Sequence, residues 1–294
     1  MTDSQSMFIR SMPFLFILSW ASGFPITRLG LEYTEPFTLL WVRSAIVITI
    51  VGFYALFARV SWPDWKELGH IAVVGVTLQC LYLGSMFMAL DGNVSQGVAA
   101  LVAGMQPLLT AAVVGCALGE RINRMQWAGF ALGFVGLFIV LSERMEAGTA
   151  TTTGLIFASL TPVFITFGSL YQKKFCANSD LRVVMIVQQT AAGICNFCIA
   201  MAVETGEIVW STELIFTWIW LVFILTIGAT NLLYLMLRHG EASRVAGLFY
   251  LTPPTAVFLG WCTYGETMGL IALGGFAVAV AGVFLITRSP GSAK

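Results

Sequence analysis

Residues 104–120 read GMQPLLTAAVVGCALGE and residues 250–266 read YLTPPTAVFLGWCTYGE, so a shift of 146 lays Pro107 on Pro253, Gly119 on Gly265 and Glu120 on Glu266. The same shift lays GFALGFVGLFIV (129–140) on GFAVAVAGVFLI (275–286), where Gly129, Phe130, Ala131, Gly136 and Phe138 each meet an identical residue. It also sets Arg28 on Lys174 and Arg43 on Gln189. The chain is written twice, so the expected organisation is two related halves, 1–148 and 149–294.

The two copies are too apolar to share a soluble surface. Hydrophobic residues make up 58% of the chain and charged residues only 10%, with a mean hydropathy of +0.86. That much charge cannot cover a water-facing globule, and the expected class is an all-α polytopic membrane protein. The formal net charge is zero and no basic tract suggests nucleic acid. The six cysteines (80, 116, 176, 195, 198 and 262) fall mostly in apolar stretches and do not resemble a secreted disulfide framework. Cys195 and Cys198 form a C-x-x-C inside a helical run with no second pair to complete a zinc site, so they are read as packing. No metal and no cofactor is expected. The run after Arg10 has the look of a signal peptide, but residues 11–31 correspond to 157–177, and the repeat argues that they are kept.

A hydrocarbon core of about 30 Å needs about 20 apolar residues per helix. Ten spans meet that need, at 11–31, 36–58, 69–90, 96–118, 124–142, 154–174, 182–203, 213–237, 244–264 and 268–287. Turn or charge signals separate them, among them SWPDWKE (61–67), DGN (91–93), GERINR (119–124) and ETGEIVWSTE (204–213). With the N-terminus cytoplasmic, twelve of the fifteen Lys and Arg residues fall on that side and Arg28 and Arg144 on the other, while Arg43 lies inside the second span. The bias places both termini in the cytoplasm. Five spans per copy is odd, so the second copy enters the bilayer from the opposite side. Inverted halves give two similar half-sites around a central cavity, the geometry of alternating access.

Glycines 129 and 133, with Gly275 and Ala279, have the small-xxx-small spacing of a close helix seam. Pro107 and Pro253 are expected to loosen the fourth and ninth helices, and Gly23 with Pro25 the first. Glu120 and Glu266 lie at helix ends, where a capping or hinge role is expected.

Inside the spans, charge is costly and marks functional suspects. Arg43 is the clear one, about seven residues or roughly 10 Å into its helix. Its guanidinium has the fork to clamp a carboxylate, or else it ties helix ends through carbonyls. Gln189 shares a face with Gly193 and Asn196; Gln79, Tyr82 and Met86 repeat the three-and-four spacing, as do Asn231, Tyr234 and Arg238. These stripes, with Trp20, Phe164 and Tyr171, are the candidate substrate-binding surface, against the alternative that they are helix–helix contacts. No titratable relay is evident, which points to facilitated diffusion or exchange. No nucleophile, metal set or phosphate loop supports a membrane-embedded enzyme, and the repeat disfavours a receptor without transport.

WASGFPITR (20–28), Arg43 early in the second span, and the paired P-x12-E patterns ending in GER (119–121) and GET (265–267) together resemble the drug/metabolite transporter superfamily, in its ten-helix EamA-type members. The resemblance covers nearly the whole chain. It implies a basket of helices around a central cavity in a bacterial inner membrane, and export of small amphipathic solutes such as aromatic or large neutral amino acids, by a chain that works as a monomer. The alternative is proton-coupled export of other metabolites or of amphipathic cationic drugs.

Overall fold

The computed structural model describes residues 3–57, 60, 62–94, 99, 102–142, 150–239, 242–252, 254–255 and 270–288. Its elements are helices: α1 Asp3–Ala21, α2 Gly23–Leu31, α3 Pro36–Phe57, α4 Trp65–Gly75, α5 Leu83–Asp91, α6 Gln106–Leu118, α7 Arg124–Ser142, α8 Thr152–Phe175, α9 Leu181–Val203, α10 Thr212–Trp220, α11 Thr230–His239, α12 Ala242–Leu248 and α13 Leu270–Arg288. Two π-helical segments, π1 Val76–Tyr82 and π2 Leu221–Ala229, join α4 to α5 and α10 to α11. Six continuous stretches among the described residues are long and apolar enough to cross a membrane, the longest being Trp65–Asp91 and Thr212–Arg238. This is an all-α polytopic membrane protein. Large apolar side chains such as Phe53, Phe57, Met201 and Leu270 are exposed on its outer surface, where lipid rather than water is the solvent.

Local chemistry sets the helix starts. Asp64, Thr151, Asp180 and Ser211 each adopt extended backbone and accept a first-turn amide, from Glu67, Gly154, Arg182 and Leu214 at 2.8, 3.0, 2.9 and 3.1 Å. Such caps satisfy amides that no helix can bond internally. Asp64 therefore starts its helix at Trp65, four residues before the span expected from hydropathy.

The duplication runs through the elements. Adding 146 to Pro36–Phe57 gives 182–203, against α9 at Leu181–Val203; adding it to Arg124–Ser142 gives 270–288, the bounds of α13. Adding it to Val76–Tyr82 gives 222–228, inside π2. At the end of π2 the backbone amide of Thr230 donates to the Leu225 carbonyl, five residues back, which is the register of a π turn, a form that recurs at functional sites; the hydroxyls of Thr226 and Thr230 also donate to the carbonyls of Leu221 and Leu225 at 2.8 and 3.1 Å.

Two expected helices are broken rather than loosened. The first span turns at Ser22, whose hydroxyl donates to Ser19 O at 2.7 Å, and Pro25 sits in the first turn of α2, where the missing amide costs little. The fourth span, expected over 96–118, turns at Gly104–Met105 and restarts as α6 with Pro107 in its first turn. Proline cannot donate back into a preceding helix, so it starts a new one. At the matching place in the second copy, α12 passes into the 3-10 turn Phe249–Leu251. Pro253 and Glu266 lie outside the described residues.

Helix pairs are closed by small residues and caps. A Cβ on Gly129 would stand 2.7 Å from Gly282 O, and one on Gly282 2.7 Å from Gly129 O, so α7 and α13 touch backbone to backbone. Helices α3 and α9 are tied by Ser44, which donates to Gln189 Oε1 at 2.9 Å, and by the Glu204 carboxylate, which accepts the Phe37 and Thr38 amides at 2.6 and 2.8 Å. The largest apolar cluster, around Phe16, Phe130 and Tyr250, joins elements of both copies.

Candidate functional site

A large cavity lies among α1, α2, α3, π1, α5, α8, π2 and α11. Its walls are mainly apolar and aromatic: Trp20, Phe24, Leu78, Leu83, Met86, Phe87, Leu90, Ile165, Leu221, Leu225 and Leu233. Polar groups come from Thr27, Arg43, Gln79, Tyr82, Thr230 and Tyr234. Such a mixture, apolar surface with a few converging polar groups, is the usual makeup of a small-molecule site.

Arg43 is 3% exposed. Its Nη2 donates to Gln79 Oε1 at 3.0 Å, while its buried Nε has no partner. The Tyr234 hydroxyl donates to Gln188 Oε1, and Gln188 Nε2 donates to Gln172 Oε1 at 2.7 Å. Gln79 thus ties the guanidinium of α3 to π1, while Tyr234, Gln188 and Gln172 tie α11 to α9 and α8. The Gln79 carbonyl takes Asn196 Nδ2 at 3.4 Å. Close approach makes this network possible: a Cβ on Gly75, just before π1, would meet Gln188 Cα at 2.5 Å.

The aromatic wall is ordered by ring contacts. Trp20 and Tyr82 are stacked, 6.5 Å between centroids and 12° between planes. Trp20 also meets Phe16 at 5.1 Å and the edge of Phe249 at 5.4 Å. On the far side of this stack a smaller cavity is lined by Trp20, Phe24, Tyr82, Ala103, Gly104, Gln106, Ile165, Phe249 and Thr252.

Of the ten residues expected at a binding surface, Trp20, Arg43, Gln79, Tyr82, Met86 and Tyr234 line the large cavity. The other four lie elsewhere. Gln189 bonds Ser44 in the α3–α9 contact, and Asn231 Nδ2 donates to the Ile227 carbonyl at 2.8 Å. The Tyr171 hydroxyl is 2.7 Å from His70 Nδ1, in a ring group with Phe167 and Phe175. Phe164 packs on the core while its neighbour Ile165 faces the cavity. Phe24, Thr27 and Leu90 lie outside the expected set, although Phe24 and Leu90 are one turn, and Thr27 two turns, from an expected residue; Leu221, Leu225 and Leu233 carry no chemical signal that marks them. Glu120 Oε1 accepts the Ala242 amide at 3.0 Å, at the start of α12, and lies 3.3 Å from Lys173 Nζ. It therefore caps α12 and pairs with a lysine of α8.

The cysteines 80, 116, 176, 195 and 198 are free, and no group of three metal-ligating side chains occurs among the described residues. Outside the spans, Arg182 bonds both oxygens of Asp180 at 3.0 and 2.6 Å and holds that carboxyl below the usual carboxylate range.

Comparison with known proteins places this arrangement. The sequence profile of the EamA-like transporter family matches residues 10–142 and again 152–288. Over 282 residues the chain is 24% identical to a "Probable amino-acid metabolite efflux pump" of Salmonella typhimurium, covering 92% of each. It is 25% identical to a "Probable terminal-alkyne amino-acid exporter" of Streptantibioticus cattleyicolor, over 93% of this chain and 91% of that one. The uncharacterized inner membrane transporter YedA of Escherichia coli is 24% identical over 93% and 89% of the two chains. A solved crystal structure shares the fold with a TM-score of 0.75 at 19% identity, covering 94% of this chain and 96% of the other.

Proposed function

The chain belongs to the EamA-like transporter family, and from that premise we propose that it exports small amphipathic metabolites, chiefly amino acids with large apolar or aromatic side chains, across a bacterial inner membrane by alternating access. The observation that carries this reading is the composition of the large cavity. Apolar and aromatic walls suit a ring or alkyl side chain, and Arg43 is the one formally charged side chain among the described residues lining it. Its unpartnered Nε leaves a buried donor free for a carboxylate, an interaction that is strongest where water is excluded. A cationic drug would face this guanidinium with no carboxylate beside it. The names of the Salmonella and Streptantibioticus relatives, an amino-acid metabolite efflux pump and an amino-acid exporter, support the same solute class, and the YedA name supports the inner membrane.

The transport cycle follows from the repeat. Two copies in opposite orientation, 1–148 and 149–294, with both termini in the cytoplasm, place Arg43 and the cavity near their shared axis, inside a single chain. Rocking one copy on the other then exposes the cavity to each side in turn. With no carboxylate or histidine among the described residues lining the cavity, the solute gradient drives the cycle. Proteoliposomes loaded with labelled L-phenylalanine test this: the reconstituted protein is expected to speed efflux over empty liposomes, and an imposed pH gradient is expected to give no uphill accumulation. Efflux equal to that of empty liposomes overturns the reading.

A further inference from the structure

Across the Trp20–Tyr82 stack, the small cavity is built by the same position of the two copies. Gln106 and Thr252 are 146 residues apart, each just before a proline of the repeat, and both line this cavity. Gln106 belongs to the first turn of α6, a 13-residue helix whose N-terminus carries no side-chain cap. Gly104, at the break, lines the cavity beside that turn. Thr252 is 3% exposed, and its hydroxyl has no partner among the described residues.

An uncapped helix N-terminus presents amide donors and about half a positive charge. A buried hydroxyl with no partner costs free energy until something accepts from it. Both needs are met by one kind of group, an oxyanion. We propose that the Gln106–Thr252 cradle at the N-terminus of α6 is a second station for the carboxylate of the transported solute, on the far side of the aromatic stack from Arg43. The idea rests on the large cavity being a solute path. It also explains how a carboxylate leaves Arg43: a full guanidinium charge in an apolar cavity holds an anion tightly, whereas a helix terminus with a hydroxyl holds it more weakly and can pass it on. Broken helices that aim their N-termini at an anionic group near the repeat axis are a known way to bind and release one.

The test uses two probes of nearly equal shape, phenylacetate and 2-phenylethanol, and measures Kd for the purified full-length protein in detergent. Wild type is expected to prefer the carboxylate. Arg43→Gln is expected to bind phenylacetate more weakly and still prefer it to the alcohol. Adding Thr252→Val to Arg43→Gln is expected to reduce that remaining preference about tenfold, the loss of one hydrogen bond to a charged group, and Thr252→Ser is expected to keep it. Should the valine variant fail to fold, Thr252→Ala against Thr252→Ser makes the same comparison. If Arg43→Gln alone abolishes the preference, or if the double variant keeps it, the station does not exist. A Thr252-dependent preference in a protein that moves no L-phenylalanine upholds the station and removes the transport reading; flux with no Thr252 dependence does the reverse.

Discussion

Arg43 Nη2 donates to Gln79 Oε1 at 3.0 Å, and the Nε of the same buried guanidinium has no partner. One donor of the fork is held by protein and another is left unpaired among the described residues. A planar group with several donors can do both at once, which a lysine ammonium on a flexible stem cannot. Arg43→Lys and Arg43→Gln are therefore expected to lower L-phenylalanine efflux at least tenfold, about 1.4 kcal/mol or more, with folded yield unchanged. Initial efflux rates at matched protein amounts check this.

Tyr82 divides the two cavities with Trp20, so its ring sets the width available to a side chain. Tyr82→Ala is expected to shift preference from L-phenylalanine toward bulkier solutes such as L-tryptophan, with a smaller effect on expression. Competition by a panel of amino acids reads the shift; lowered expression with an unchanged order makes Tyr82 a packing residue.

The α7–α13 seam is set by backbone contact at Gly129 and Gly282. A side chain on either must push the helices apart, and overpacking of this kind costs about 1–3 kcal/mol. Gly282→Val is expected to lower the melting temperature and broaden the size-exclusion peak in detergent. Gly274, around which a Cβ would meet nothing within 4 Å, gives the control: Gly274→Ala is expected to leave both unchanged.

Asp180 has its carboxyl pKa lowered by the Arg182 hydrogen bond. A carboxylate with a depressed folded pKa stabilises the protein at pH above its unfolded value, near 4, and loses that contribution as pH falls through the folded value. Asp180→Asn keeps a competent helix cap. Its melting temperature is expected to fall only slightly below wild type at pH 7, because so exposed a pair is screened by water, and the difference is expected to close in acid.

The helices were legible because hydropathy and charge act over whole spans, as with Pro36–Phe57 against an expected 36–58. The π segments were not, since an i−5 register changes no residue type: Val76–Tyr82 reads as ordinary apolar helix. The site was half legible for a related reason. Polar stripes were taken to mark the cavity, but in a membrane protein the same residues bind helices together, as Gln189 does with Ser44. The cavity face of α11 is Thr230, Leu233 and Tyr234, one residue out of step with the expected Asn231–Tyr234–Arg238, because Leu233 gives polarity nothing to detect. The break at Gly104–Met105 was visible as Pro107, whose effect was read as a kink when it is a restart.

The central claim is that Arg43 selects a solute by its carboxylate inside an apolar cavity. Counterflow of labelled L-phenylalanine in proteoliposomes, competed in parallel by 3-phenylpropanoate and by 2-phenylethylamine, tests it most directly. These competitors share the ring and differ in the sign of the charged end. The account predicts that the carboxylate competes in wild type and loses most of its effect in Arg43→Gln, while the amine competes poorly in both. Strong competition by the amine and none by the carboxylate would contradict it.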